Sequence, residues 1–202
     1  MKVVLATKNS GKLKELQELA DSLNGVEFVL APSDFDPVED GNTFIANAII
    51  KAKAAALETK LYSLSDDSGI EVYALGGAPG IYSARYCEGS DADRRHLLIR
   101  ELAKTGSEDR RGAFVCAMAL CAPSGEVLQT VECRWEGLVI DAERGSNGFG
   151  YDPIFYLEEE KMTSAEMTSA RKNQVSHRAK AWFAMQKHIE QLYKQTERNL
   201  KT

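Results

Sequence analysis

Residues 65–86 read SDDSGIEVYALGGAPGIYSARY, and the rest of the chain is organised around this stretch. Two adjacent carboxylates, Asp66 and Asp67, are followed by a hydroxyl, Ser68, and a glycine. Ile70, Val72 and Ala74 then alternate with Glu71 and Tyr73 at the two-residue period of a strand. Gly76, Gly77, Pro79 and Gly80 make a turn, and Tyr82, Ser83 and Arg85 close the stretch. Carboxylates beside a strand suit two chemistries, holding a hard divalent cation through oxygen ligands and orienting a water. Asp-Asp-Ser-Gly is equally the composition of an ordinary exposed turn. Taken alone, the stretch leaves both readings open.

The whole chain narrows the field. Its 202 residues suit one folding unit, or one domain with two lobes, and allow a sizeable core. At 44% hydrophobic and 27% charged, the composition is that of a globular protein without disordered bulk. A net charge of −5 argues against non-specific nucleic-acid binding, which needs a strong positive field, yet leaves room for a basic pocket that takes one small anion. No run approaches the roughly 18 apolar residues that cross a membrane, and the N-terminal MKVVLATKNSGK turns polar too early for a signal peptide. Cys87, Cys116, Cys121 and Cys133 show no C-x-x-C pairing and read as free thiols of a reducing compartment. The expectation is a soluble, cytoplasmic protein that binds neither nucleic acid nor membrane.

Upstream of the central stretch, residues 2–6 read as a strand, and Thr7, Lys8, Asn9, Ser10, Gly11 and Lys12 as a polar turn into a helix. Leu13, Leu16, Leu19, Ala20 and Leu23 supply that helix's apolar stripe. A strand, a small-residue turn and a helix start bring backbone N–H groups and the helix dipole to one point, which suits a phosphate. Lys8 and Lys12 add positive charge there, although the P-loop spacing is absent and a plain strand–helix connection explains the turn equally well. Val26, Phe28, Val29 and Leu30 form a second strand, and residues 32–37 a loop. Asn42 or Thr43 caps a helix whose buried stripe is read as Phe44, Ile45, Ala48, Ile49, Ala52 and Ala56. Glu39 and Asp40 precede it, either as metal ligands or as acids suited to the helix dipole.

Downstream, residues 91–104 read as a helix presenting Leu97, Leu98, Ile99 and Leu102, and residues 113–122 as a strand buried on both faces. Residues 127–135 form its hairpin partner. Residues 145–153 set three glycines around Phe149, Tyr151 and Asp152, where an exposed Phe149 could stack on a base or the aromatics could pack in a tight turn. From Ser164 the chain is helical in character. Ser176 caps a helix with His177 and Arg178 in its first turn, where cations oppose the dipole unless an anion compensates. A solvated pair on a surface helix is the alternative.

Together these pieces resemble the inosine/xanthosine triphosphate pyrophosphatases, enzymes acting on non-standard purine nucleotides. The resemblance is carried in order by Thr7-x-Asn9-x-x-Lys12, Glu39-x-Gly41-x-Thr43-Phe44, Asp66-Asp67-Ser68-Gly69, and Gly76-Gly77-x-Pro79-Gly80-x-Tyr82-Ser83-Ala84-Arg85-Tyr86. Gly148-Phe149-Gly150-Tyr151-Asp152-Pro153 and Ser176-His177-Arg178 complete it, spanning nearly the whole chain. It implies an α/β fold with a long mixed central sheet flanked by helices, and two lobes with an intervening active-site cleft. It also implies a homodimer and Mg²⁺-dependent hydrolysis of a purine nucleoside triphosphate to monophosphate and pyrophosphate.

Carried over by position, Thr7, Lys8, Asn9, Ser10, Gly11 and Lys12 hold the phosphates. Asp67 is the catalytic acid residue as base or metal ligand, Glu39 a second metal ligand, and Ser68 a substrate contact. Phe149, Gly150, Tyr151, Asp152, Lys172, His177 and Arg178 form the base-recognition side. Arg171 and Ala179 depart from the family, in which an acid and a glycine are common at those places. His177 and Arg178 can donate to the 6-oxygen of hypoxanthine or xanthine and would meet an amino donor on adenine. A non-catalytic nucleotide sensor or a metal-dependent phosphomonoesterase are the rival classes.

Overall fold

The computed structural model describes residues 1–20 and 23–199. In chain order the elements are β1 (Lys2–Leu5), α1 (Ser10–Ala20), β2 (Glu27–Leu30), α2 (Phe44–Thr59), β3 (Tyr62–Val72) and α3 (Asp91–Lys104). Then come β4 (Arg111–Cys121), β5 (Val127–Val139), β6 (Phe155–Leu157), β7 (Met162–Thr163), α4 (Ser169–Val175) and α5 (His177–Asn199). One seven-stranded sheet runs β2-β1-β3-β4-β5-β6-β7. It is mixed: β1 pairs in parallel with β2 and β3, whereas β5 with β6 and β6 with β7 are antiparallel. The expected α/β architecture of a mixed sheet with helices is therefore present. None of the described helices is long and apolar enough to cross a membrane.

The chain divides into two compact units. The first comprises Met1–Asp67, Cys116–Cys133 and the chain from Arg178 onward; the second comprises Ser68–Val115 and Arg134–His177. In the first unit, the alternation of a strand sends β1 side chains to two separate cores. Val3 and Leu5 join Leu16, Leu19, Leu64, Met118 and Trp182, while Val4 and Ala6 join Phe35 and Ala55 of α2. A strand covered on both faces needs continuous apolar character, which is why Val3, Val4 and Leu5 run without interruption. Trp182 of α5 is fully buried and meets Phe28 edge-on at 5.7 Å. In the second unit Ile70, Val72, Leu98, Leu102, Phe114, Trp135, Ile154 and Phe155 pack together.

Helix ends follow the local chemistry. Thr43 Oγ1 accepts from Ala46 N at 3.1 Å and begins α2. Ser90 and Asp93 form a capping box at the start of α3. Three expectations need correction. The acid pair lies inside β3, not in an exposed turn, and Ala74 falls in a short 3₁₀ turn beyond the strand. On α2 the buried face holds Asn47 and Lys51, while Ile45 and Ile49 are only half-buried. His177 and Arg178 are buried at the start of α5, not solvated.

Candidate active site

In the first unit, β1 stops at Leu5, whose register partner on the parallel strand β3 is Leu64. β3 continues past that point and carries Asp66 and Asp67 beyond the carboxyl end of β1, the region where open parallel sheets bind ligands. The chain leaving β1 passes Thr7 and Lys8 and enters α1 with Asn9 as its cap. Asn9 Oδ1 accepts from Lys12 N at 3.0 Å, and Thr7 Oγ1 accepts from Asn9 N at 3.3 Å. This fixes the connection through Thr7, Lys8 and Asn9, and the first-turn N–H groups of Ser10 and Gly11 lie at the positive end of the helix. Lys12 reaches back so that its Nζ lies 3.5 Å from Asp66 Oδ2 and 4.0 Å from Asp67 Oδ1. Lys8 is exposed, with its Nζ 3.5 Å from Asp36 Oδ1.

The two aspartates are neighbours with different company. Asp66 is fully buried and accepts from Arg178 Nε and Nη2 at 3.4 and 3.3 Å; Arg178 Nη1 donates to Glu15. Burial pushes the Asp66 carboxyl up, but Lys12, Arg178 and Lys51 outweigh it and bring it down to about 2. Asp67 accepts from Lys51 Nζ at 3.0 Å and from Asn47 Nδ2 at 3.3 Å. There burial wins, with Glu39 adding repulsion, and the carboxyl is raised despite Lys51 and Lys12. Lys51 also donates to Glu39 Oε2 at 2.8 Å and stays charged, because burial is outweighed by Asp67, Asp66 and Glu39.

Asn47 ties the pieces together, since its Oδ1 accepts from Gly41 N at 2.9 Å. A β-carbon at Gly41 would lie 2.6 Å from that Oδ1, so only glycine lets the loop bearing Glu39 approach so closely. Asn47 and Lys51 stand four residues apart on one face of α2 and were missed by apolar periodicity. Their signal was polarity interrupting a buried stripe. Glu15, three residues after Lys12 on α1, was also missed. Among the described residues no group of three or more His, Cys, Asp or Glu side chains is arranged to hold a metal unaided. Glu39 and Asp67 nonetheless converge on one ammonium group. A two-carboxylate pair of that kind suits Mg²⁺ when phosphates and waters supply the other oxygens.

Of the expected site residues, the structure thus brings Lys12, Glu39, Asp67 and Arg178 into one cluster in this unit. A second cluster lies in the other unit. Asp152 is buried, accepts from Lys172 Nζ at 2.6 Å and Ser164 Oγ at 2.8 Å, and receives Phe149 N at 2.9 Å. Phe149 is half-buried, not exposed, because Lys172 Nζ lies 5.3 Å over its ring. Tyr151 is buried and its hydroxyl donates to Ser83 O at 2.9 Å. His177 is buried and stacks on Phe114 at 4.9 Å and Trp135 at 6.2 Å. Ser68 is half-buried in β3, and Arg171 pairs with Glu160.

The Ham1 family matches residues 3–188. A protein of Vibrio cholerae named dITP/XTP pyrophosphatase is 45% identical over 197 residues, covering 94% of this chain and 97% of that protein. One of the same name from Thermus thermophilus is 45% identical over 189 residues, covering 92% and 90%. A HAM1 protein from Coxiella burnetii has a similar solved structure, with a TM-score of 0.85 at 38% identity over 95% of this chain and 99% of that one. The Staphylococcus aureus Ham1 protein gives 0.82 at 36% identity, covering 94% and 98%. Matched in sequence over residues 3–188 and in fold over 95% of its length, the chain belongs to the Ham1 family.

Proposed function

We propose that this protein hydrolyses non-standard purine nucleoside triphosphates, those of inosine, deoxyinosine and xanthosine, to the monophosphate and pyrophosphate. The observation that carries the reading is geometric: Glu39 and Asp67 converge on Lys51 Nζ at 2.8 and 3.0 Å, while Lys12 at the start of α1 reaches Asp66 and Asp67. The two adjacent carboxyls are tuned in opposite directions, Asp66 down and Asp67 up. Environments that push paired carboxyls apart divide the work: one stays ionised as an anchor, the other gains the proton affinity of a base. The substrate class is supported by the relatives named dITP/XTP pyrophosphatase.

A nucleoside triphosphate carries about four negative charges. Lys12, Lys51 and Arg178 face Glu15, Glu39, Asp66 and Asp67, so the cluster has no positive surplus of its own. This balance supports a reading in which additional positive charge arrives with the substrate. Mg²⁺ held by Glu39 and Asp67 together with the phosphates would supply that neutralisation. Thr7, Lys8, Asn9, Ser10, Gly11 and Lys12 orient the phosphates at the start of α1. Asp67 takes the proton of a water attacking the α-phosphorus, and pyrophosphate leaves. Lys51 and Asn47 keep Asp67 aimed, and Gly41 lets Glu39 stay beside it.

Base recognition falls to Ser68, Phe149, Gly150, Tyr151, Asp152, Lys172 and His177, whereas Arg178 anchors Asp66 on the phosphate side. Phe149 would stack on the purine, and a donor from His177 favours a 6-oxygen over an amino group. A homodimer, implied by the resemblance, and a cytoplasmic setting, which suits the four free cysteines, belong to the same reading. Hydrolysis of inosine triphosphate in heavy-oxygen water tests the mechanism. Label is expected in the monophosphate; label in pyrophosphate alone would exclude attack at the α-phosphorus.

A further inference from the structure

We infer that Asp91 and Arg95, braced by Glu143, are positioning residues for Phe149. They hold the two backbone polar groups of the next residue, Gly150, and so set affinity for the purine base without touching it. The inference rests on the proposed reading in which Phe149 stacks on that base.

Every group involved lies in the second unit. Gly150 N donates to Asp91 Oδ2 at 2.8 Å, and Arg95 Nη1 donates to Gly150 O at 2.7 Å. Asp91 and Arg95 are four residues apart on α3 and share a face of the helix. One helix face thus supplies the acceptor and the donor that a neighbouring strand would otherwise offer this peptide. Gly150 has φ 61°, a left-handed conformation that turns the chain between Phe149 and Tyr151 and leaves these backbone groups to side-chain partners.

The holding groups are themselves held. Arg95 spends its other edge on Glu143 through two bonds of 2.9 Å, Nε to Oε1 and Nη2 to Oε2, a planar fork that leaves Nη1 aimed at Gly150. The second oxygen of Asp91 accepts from Arg94 Nη2 at 2.8 Å, and Arg94 Nη1 also donates to Gly89 O at 3.0 Å. α3 is seated by Leu98 and Leu102, both fully buried. Beyond Phe149, its own N–H goes to Asp152, and the Tyr151 hydroxyl goes to Ser83 O. The backbone beside the ring is therefore fixed from both directions. The Glu143 side chain is 35% exposed, and ion pairs with a wet partner add little to stability. What this arrangement supplies is orientation.

Steady-state hydrolysis of inosine triphosphate, with the pyrophosphate product quantified, tests the inference on Arg95→Ala, Arg95→Lys and Asp91→Asn. A loosened ring weakens binding of ground state and transition state alike, so Arg95→Ala is expected to raise KM about tenfold with kcat within about twofold. Arg95→Lys keeps one donor for Gly150 O and loses the fork, and recovers part of the KM. Because the effect acts through Phe149, adding Phe149→Ala to Arg95→Ala should raise KM no further than Phe149→Ala alone. An unchanged KM, a fall in kcat without a KM change, or additive effects in the double variant overturns the inference. A wild-type protein inert toward inosine triphosphate overturns the parent reading and this one with it. An active wild type whose KM ignores Arg95→Ala overturns this one alone.

Discussion

Asp66 takes the guanidinium of Arg178 and stands beside Lys12, while its neighbour Asp67 takes Lys51 and Asn47. The sequence marks both carboxyls but cannot rank them, because what separates them is company brought from residues 12, 47, 51 and 178. Removing Asp66 leaves Arg178 buried with Glu15 as its remaining carboxylate partner among those described above. Breaking a buried ion pair costs about 3 kcal/mol or more. Asp66→Ala should therefore lower the urea midpoint at constant m, and an unchanged midpoint would deny Asp66 its anchoring role. The sign with pH follows from a folded carboxyl held at about 2, below its ordinary value of 3.8. Stability from this contact is complete above about pH 4 and declines as the pH falls from about 4 to 2.

Among the elements, α1, α3 and the buried strand β4 were legible because apolar periodicity reports them directly. α2 was legible as a helix with Thr43 at its start, but its buried face was misread. Ile45 and Ile49 were taken for core, whereas Asn47 and Lys51 occupy it, because their burial is offset by Asp67 and Glu39. Periodicity cannot see partners that lie elsewhere in the chain. The length of β3 was misjudged for a related reason. Asp and Gly are poor strand residues, yet here the strand continues through Asp66-Asp67-Ser68-Gly69 to Val72. Lys51 gives the element a testable consequence. Its positive charge holds the Asp67 carboxyl lower than burial alone would leave it. Lys51→Met should raise that carboxyl further and move the acidic limb of the kcat/KM–pH profile to higher pH. A limb that stays in place, or moves to lower pH, would show that Asp67 is not the titrating base.

At the scale of the molecule, two compact units are woven from interleaved segments, with the changes falling at Asp67/Ser68, Val115/Cys116, Cys133/Arg134 and His177/Arg178. The motifs were legible as motifs, but their grouping was not. Arg178, read beside His177 as a base-recognition pair, is bonded to Asp66 and Glu15 in the first unit, while His177 stacks on Phe114 and Trp135 in the second. Adjacent residues at the start of one helix serve two different cores, which no local pattern in the chain reveals. In the proposed function, the Asp66–Asp67 cluster of the first unit splits a purine nucleoside triphosphate between its α- and β-phosphates. The most direct test is hydrolysis of inosine triphosphate with and without Mg²⁺, for the wild type and Asp67→Asn, with pyrophosphate and orthophosphate quantified separately. Mg²⁺-dependent pyrophosphate release is expected, falling by about 10³-fold or more in the variant. Orthophosphate as the sole product, or pyrophosphate release undiminished in Asp67→Asn, would contradict it.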